Sequence, residues 1–213
     1  MGDQVLKHGL NIGAILLAAC ALAAGGCASS GRQAPGLIAP TTMSTSAAGI
    51  SSAFDRAVAA QKAEEAGKRD EAIALYREAL KEYREFPAAW NNLGVILMDS
   101  ERYLEAAECF AAASDLAPRD PRPAYNTGLS WDRAGYLNEA IEHYRESLAR
   151  DGRYLPALRG SIRAERLLGK ASSDTLERIR AALLLEQDEQ WREWLELQRV
   201  RVEAELAGKR YGG

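Results

Sequence analysis

The sequence predicts an all-helical fold: a stack of antiparallel helix pairs closed by a longer C-terminal helix. Two observations carry this. Alanine, leucine, glutamate and arginine dominate and β-branched residues are few, a composition that favours helix over strand. The pentapeptide WNNLG, Trp90 to Gly94, is followed thirty-four residues later by AYNTG, Ala124 to Gly128, each with an asparagine two positions before a glycine. A fixed period of that length marks a recurring structural unit rather than a single chemical site.

Composition bounds the function. A chain of 213 residues is one ordinary domain with appendages or two small ones. Hydrophobic residues make up 47% and charged residues 27%, and the net charge is −3. No segment concentrates lysine and arginine, so no nucleic-acid partner is expected. His8 and His143 are far apart in sequence and cannot found a histidine metal site. Cys20 and Cys27 fall in the N-terminal apolar segment, which leaves Cys109 alone in the folded part and excludes a disulfide framework.

The first element, residues 1–27, has the layout of an export signal: a polar start with Lys7, an apolar run from Leu10 to Ala24, then small residues. That run is short for a membrane span, which needs about 20 residues. Its ending, AAGGC followed by ASSG, resembles a bacterial lipobox, in which the cysteine is lipidated and becomes the mature N-terminus. Cys27 is the first candidate; Ala24 stands where the family favours leucine. Cys20, in LAAC, matches that position and is the alternative. The resemblance implies an exported chain, lipid-anchored in the bacterial cell envelope. Alanine follows either cysteine (Ala28 or Ala21), where an aspartate would signal retention at the inner membrane, so the outer membrane facing the periplasm is expected. Residues 28–51 are rich in Ser, Thr, Ala, Gly and Pro without hydrophobic period, and read as a flexible tether spanning about 25–30 Å root-mean-square.

Residues 52–170 carry the repeat. Trp90, Leu93, Gly94, Leu97, Ala106, Phe110, Ala113 and Pro118 form one unit, and Gly128, Trp131, Ala140 and Tyr144 recur one period later. Thr127, Ser147 and Gly152 depart from the pattern. An earlier unit from about Ala53 keeps Gly67, Ala72, Tyr76 and Ala79, and a fourth start, LPALRGSIRAERLLGK, ends its first helix at Gly169. These positions strongly resemble the tetratricopeptide repeat, here about three units plus a partial fourth. The resemblance implies a right-handed superhelical stack. Gly94 and Gly128 are expected to admit Ala106 and Ala140 of the facing helix, with Trp90, Leu93 and Phe110 filling the seam. Gly67, Gly135 and Gly169 sit where the first helix of a unit ends and a left-handed residue is wanted.

The last element, 171–213, opens with a capping signal at Ser173 or Asp174, with Glu177 three residues after Asp174, and closes near Gly208. It reads as one long helix, or two with a break near Gln187 to Gln190. Leu176, Ile179 and Leu183 should cover the end of the stack. Trp191, Leu195, Val202 and Leu206 share a second face that either packs back on the repeats or is offered to a partner or a second copy. Gln198 interrupts it.

No phosphate-binding loop, zinc motif or nucleophile elbow occurs, so neither a cofactor nor a metal nor an enzymatic activity is expected. The acidic pairs Glu64–Glu65 and Asp188–Glu189 read as solvated faces. The resemblance instead implies an inner groove that holds a protein or peptide. Carried over, the groove residues are Ala88, Asn91, Asn92, Val95, Met98 and Asp99 in one unit and Arg122, Tyr125, Asn126, Leu129, Asp132 and Arg133 in the next. Arg159, Arg163 and Arg166 follow in the fourth unit; Phe54, Gln61, Glu64 and Glu65 come from the first. Side-chain amides at Asn92 and Asn126 could grip a peptide backbone, and the arginines could receive a carboxylate. The expected function is a lipid-anchored scaffold. The alternatives are a self-associating structural subunit or the non-catalytic subunit of an enzyme assembly.

Overall fold

The computed structural model describes residues 46–211. The export signal with Cys20 and Cys27, and the tether up to residue 45, lie outside the described residues. Among those described, nine helices follow one another: α1 Ala47–Glu65, α2 Arg69–Glu82, α3 Pro87–Asp99, α4 Tyr103–Leu116, α5 Pro121–Arg133, α6 Leu137–Arg150, α7 Leu155–Leu167, α8 Ser173–Leu185 and α9 Glu189–Tyr211. α1 begins inside the segment read as a tether. Ser46 caps it by accepting the Gly49 N–H at 3.1 Å, and the alanine-rich stretch that follows is good helix former despite its lack of large side chains.

Each helix packs mainly on its neighbours in sequence, the nearest-neighbour stacking of a solenoid. α1/α2, α3/α4 and α5/α6 are the closest pairs, while α7 packs on α6 and α8, and α8 also on α9. Proline opens α3 and α5 and lies in the first turn of α7, where its missing N–H costs nothing. The first helices of three units end on Gly67, Gly135 and Gly169 with φ of 74°, 89° and 65°. Glu101 occupies the same place in the second unit with φ of 59°.

The close approach within a unit is chiefly glycine on an aromatic ring; the expected approach to alanine is seen at Gly128, where a Cβ would also stand 3.0 Å from the Ala140 carbonyl oxygen. A Cβ on Gly94 would stand 2.7 Å from the Phe110 ring, and one on Gly128 2.7 Å from the Tyr144 ring. Glycine thus makes room for an aromatic ring, while Ala106 and Ala140 are fully buried beside it. A Cβ on Gly160 would likewise stand 2.6 Å from Cζ of Tyr144. Trp90 and Trp131 pack partly buried against the core, and Leu93 and Phe110 are buried in it. Two departures from the repeat pattern are satisfied locally. Thr127 donates to the Pro123 carbonyl at 2.9 Å and Ser147 to the Pro121 carbonyl at 2.8 Å.

The C-terminal segment is two helices. α8 is capped by Ser172, not by Ser173 or Asp174. Its side chain and that of Thr175 form a reciprocal capping box. Leu176, Ile179 and Leu183 join Leu158 and Ile162 of α7 in a second core that covers the end of the stack. Leu195, Val202 and Leu206 of α9 enter the same core, and Trp191 lies under the Arg159 guanidinium, 4.5 Å from its ring centre. The face that was a candidate for a partner is therefore turned inward. Gln198 is buried with it, accepting from Arg166 Nε at 3.3 Å. α9 continues past Gly208 to Tyr211.

Candidate partner-binding site

The residues expected to line the inner groove are largely committed to one another. Asn126 Nδ2 donates to Asn91 Oδ1 at 3.4 Å, Asn91 Nδ2 to Asn92 Oδ1 at 3.5 Å, and Asn92 Nδ2 to the Tyr76 hydroxyl at 3.3 Å. These long contacts make an amide ladder across α5, α3 and α2 with every donor directed toward Tyr76. Burial pushes the Tyr76 hydroxyl up to about 12, against a smaller opposing effect of the Asn92 bond. The ladder ends at Asn126 Oδ1, a buried acceptor that no described group satisfies. Ala88, Val95, Met98 and Leu129 are also buried, and Ser130 donates to the Met98 sulfur at 3.2 Å. Tyr125 lies tilted against Tyr144 and edge-on to Tyr154. Asp99 and Arg133 remain exposed.

The arginines are paired rather than presented. Arg122 forks onto Asp120, with contacts of 2.6 to 3.0 Å. Burial of Asp120 works against ionisation, but the Arg122 bonds outweigh it and hold the carboxyl below its ordinary value. Arg159 meets Glu186, Arg163 meets Asp132 at 2.5 Å, and Arg166 meets Glu205 at 2.6 Å. Asp132 also accepts the Tyr144 hydroxyl at 3.0 Å. A carboxylate ligand at these arginines would have to displace the carboxylates already there.

An open groove lies on the opposite side of α3, between the second helices of the first two units. It encloses about 1050 Å³. α2 supplies Arg77, Leu80 and Lys81, α4 supplies Glu105, Glu108 and Cys109, and α3 floors it with Trp90, Leu93 and Leu97. It exists because α2 and α4 both pack on α3. Of the floor residues Trp90 keeps the most exposure, its indole N–H donating to the Arg84 carbonyl at 2.8 Å. Arg77 reaches Glu105 across the groove at 2.9 Å. Desolvation raises the Cys109 thiol to about 12, which disfavours its thiolate, and the side chain is buried in the core. Sequence reasoning missed this groove because charges on the outer turns of a helix read as a solvated face.

One constellation invites a catalytic reading. Ser114 donates to Glu146 at 3.3 Å, and His143 Nδ1 lies 3.2 Å from the same carboxylate. Nucleophile activation needs the imidazole between hydroxyl and acid. Here the carboxylate is in the middle and also binds Arg150, so the cluster ties α4 to α6. Glu165, fully buried on α7, is likewise held by Arg145, Arg178 and Thr175 at 2.5 to 2.8 Å. No group of three or more His, Cys, Asp or Glu side chains among the described residues could hold a metal ion.

Comparison with known proteins agrees with the geometry. The family model described as tetratricopeptide repeat matches residues 57–121 and 96–154. The peroxisomal targeting signal receptor of Candida albicans is 34% identical over 80 residues, which are 38% of this chain and 14% of that protein. The BBSome complex member BBS4 of Mus musculus is 36% identical over 63 residues, 30% of this chain and 12% of that protein. The chain thus spans a small part of the length of these relatives. Among solved structures, MamA AMB-1 superposes with a TM-score of 0.56 at 16% identity, covering 62% of this chain and 72% of that one. The first repeat module of Spaghetti (RPAP3), bound to the HSP90 peptide SRMEEVD, gives 0.52 at 18% identity, covering 56% and 95%. These likenesses concern the fold.

Proposed function

We propose, from the premise that the body of this chain is a tetratricopeptide-repeat array, that it is a non-catalytic scaffold recruiting a partner protein at the bacterial cell envelope. The groove between α2 and α4 carries the reading. Its apolar floor and rim of both signs suit an extended partner segment that buries an apolar side chain on Trp90 and pairs its charges with Lys81 and Glu108. Relatives named for a targeting signal and for a bound peptide are consistent with such a role. Lipidation at Cys27, or at Cys20, would hold the domain on the outer membrane by the segment that follows.

Lys81→Glu with Glu108→Arg, both on exposed positions, tests the groove. Affinity capture from native membranes should lose a partner at least ten-fold relative to the unaltered chain; undiminished capture sinks the groove reading. The orphan acceptor Asn126 Oδ1 favours a second reading, in which the partner chain lies along the inner face and completes the amide ladder. Then Asn91→Ala/Asn126→Ala, and not the rim pair, abolishes capture. For the anchor, Cys20→Ser/Cys27→Ser should release the protein on detergent-free fractionation, and retention in the membrane would exclude lipidation.

A further inference from the structure

α9 is amphipathic twice over. Its inner stripe, Leu195, Gln198 and Val202, is buried. About 160° round the helix, at roughly 100° per residue, runs a second stripe of Leu197, Val200, Ala204 and Ala207. Leu197 is 47% and Val200 57% exposed, although both are large aliphatic residues on a helix already anchored by its other face. α9 is also the longest helix described, 23 residues against 13 or 14 for α2 to α8. Beyond Val202 every residue up to Gly208 is exposed except Leu206. The outer stripe thus runs along the exposed side of a helix whose inner side stays packed as far as Leu206.

Its spacing of three, four and three residues is that of a heptad seam, with Leu197 and Ala204 at a and Val200 and Ala207 at d. Glu196 then falls at g and Arg201 at e. In a parallel pair the g residue of one helix faces the following e residue of the other. Glu196, which within one chain pairs with Arg199 at 2.7 Å, exchanges that partner for Arg201 of the other copy, twice by symmetry. Antiparallel pairing centred on the stripe instead sets Glu203 against Glu203 and Arg201 against Arg201. Only the parallel orientation pairs unlike charges without setting like charges together, which points to a second copy as the occupant.

We propose that the outer stripe of α9 is a parallel homodimer contact between two copies of this chain. Four seam positions are less than the roughly 1,200 Å² of a stable interface requires, so the contact is weak and gains from any condition that holds copies side by side. It is independent of the groove, and its failure leaves the proposed function standing.

Copper-catalysed disulfide formation in cells expressing the full chain tests it, with the unaltered chain as control for the native cysteines. Leu197→Cys and Val200→Cys should each cross-link to a doubled mass, because equivalent seam residues face each other only in a parallel pair. The yield should exceed that of Leu184→Cys by at least ten-fold, since Leu184, 88% exposed on α8, lies off the stripe. Adding Arg201→Glu or Glu196→Arg to Val200→Cys should lower the yield at least three-fold, and the double exchange should restore it. Equal yields at Leu184 and Val200, adducts only with a different protein, or no recovery in the double exchange would each overturn the proposal.

Discussion

Glu101 holds a left-handed backbone at the place where the other three units carry glycine. An L side chain there costs about 1 kcal/mol or more, and the exposed Glu101 makes no contact that repays it. Glu101→Gly should therefore stabilise the protein by about 1 kcal/mol in urea denaturation, an unusual sign for a glycine substitution. Gly94 shows the opposite constraint. A methyl group 2.7 Å from the Phe110 ring forces the ring or the helix aside, so Gly94→Ala should cost about 1–3 kcal/mol by the same measurement. Pairing it with Phe110→Leu should recover part of that loss, which separates ring contact from helix propensity.

The helix pairs were legible in the sequence because their packing rule is local in register. A glycine in the first helix and an aromatic residue sixteen positions later, as in Gly94 and Phe110 or Gly128 and Tyr144, recur with the period. Helix ends were less so. Ser172, Ser173 and Asp174 are all acceptable caps, and the choice falls to Ser172 because Thr175 returns the bond. Ser172→Ala should cost about 1 kcal/mol and fray the start of α8, seen as faster amide exchange there than in α7. The pairing on the inner face was hidden for a different reason. Arg159, Arg163 and Arg166 line up at helical spacing and look like one free basic stripe. Their carboxylate partners Glu186, Asp132 and Glu205 lie 27, 31 and 39 residues away, and only the stacking of units brings them together. The fold was readable from period; the pairing across it was not.

At the scale of the molecule, alkali should loosen the whole array. Burial raises Tyr76 and Tyr154 from 10 to about 12 and Cys109 from 9 to about 12, and Tyr144 also lies well above its usual value. A group with a raised folded pKa binds its proton more tightly when folded, so its contribution is complete below the unfolded value and is lost as pH climbs through the folded one. Stability should hold to about pH 9 and decline toward pH 12, followed by urea midpoints. Tyr76→Phe should make the decline shallower. A repeat array is an open series: no unit contains an instruction to stop, since each contact is with its neighbour alone. Here the terminating role belongs to α9, which turns Leu195 and Val202 onto the last pair and shows the far side a different face. Its place in the chain fixes how many units there are. Another thirty-four-residue unit inserted between α6 and α7 would meet matching surfaces on both sides, whereas one appended after α9 would find none. Among the described residues the stack is thus punctuated at α9, and room for another unit lies between units rather than beyond it.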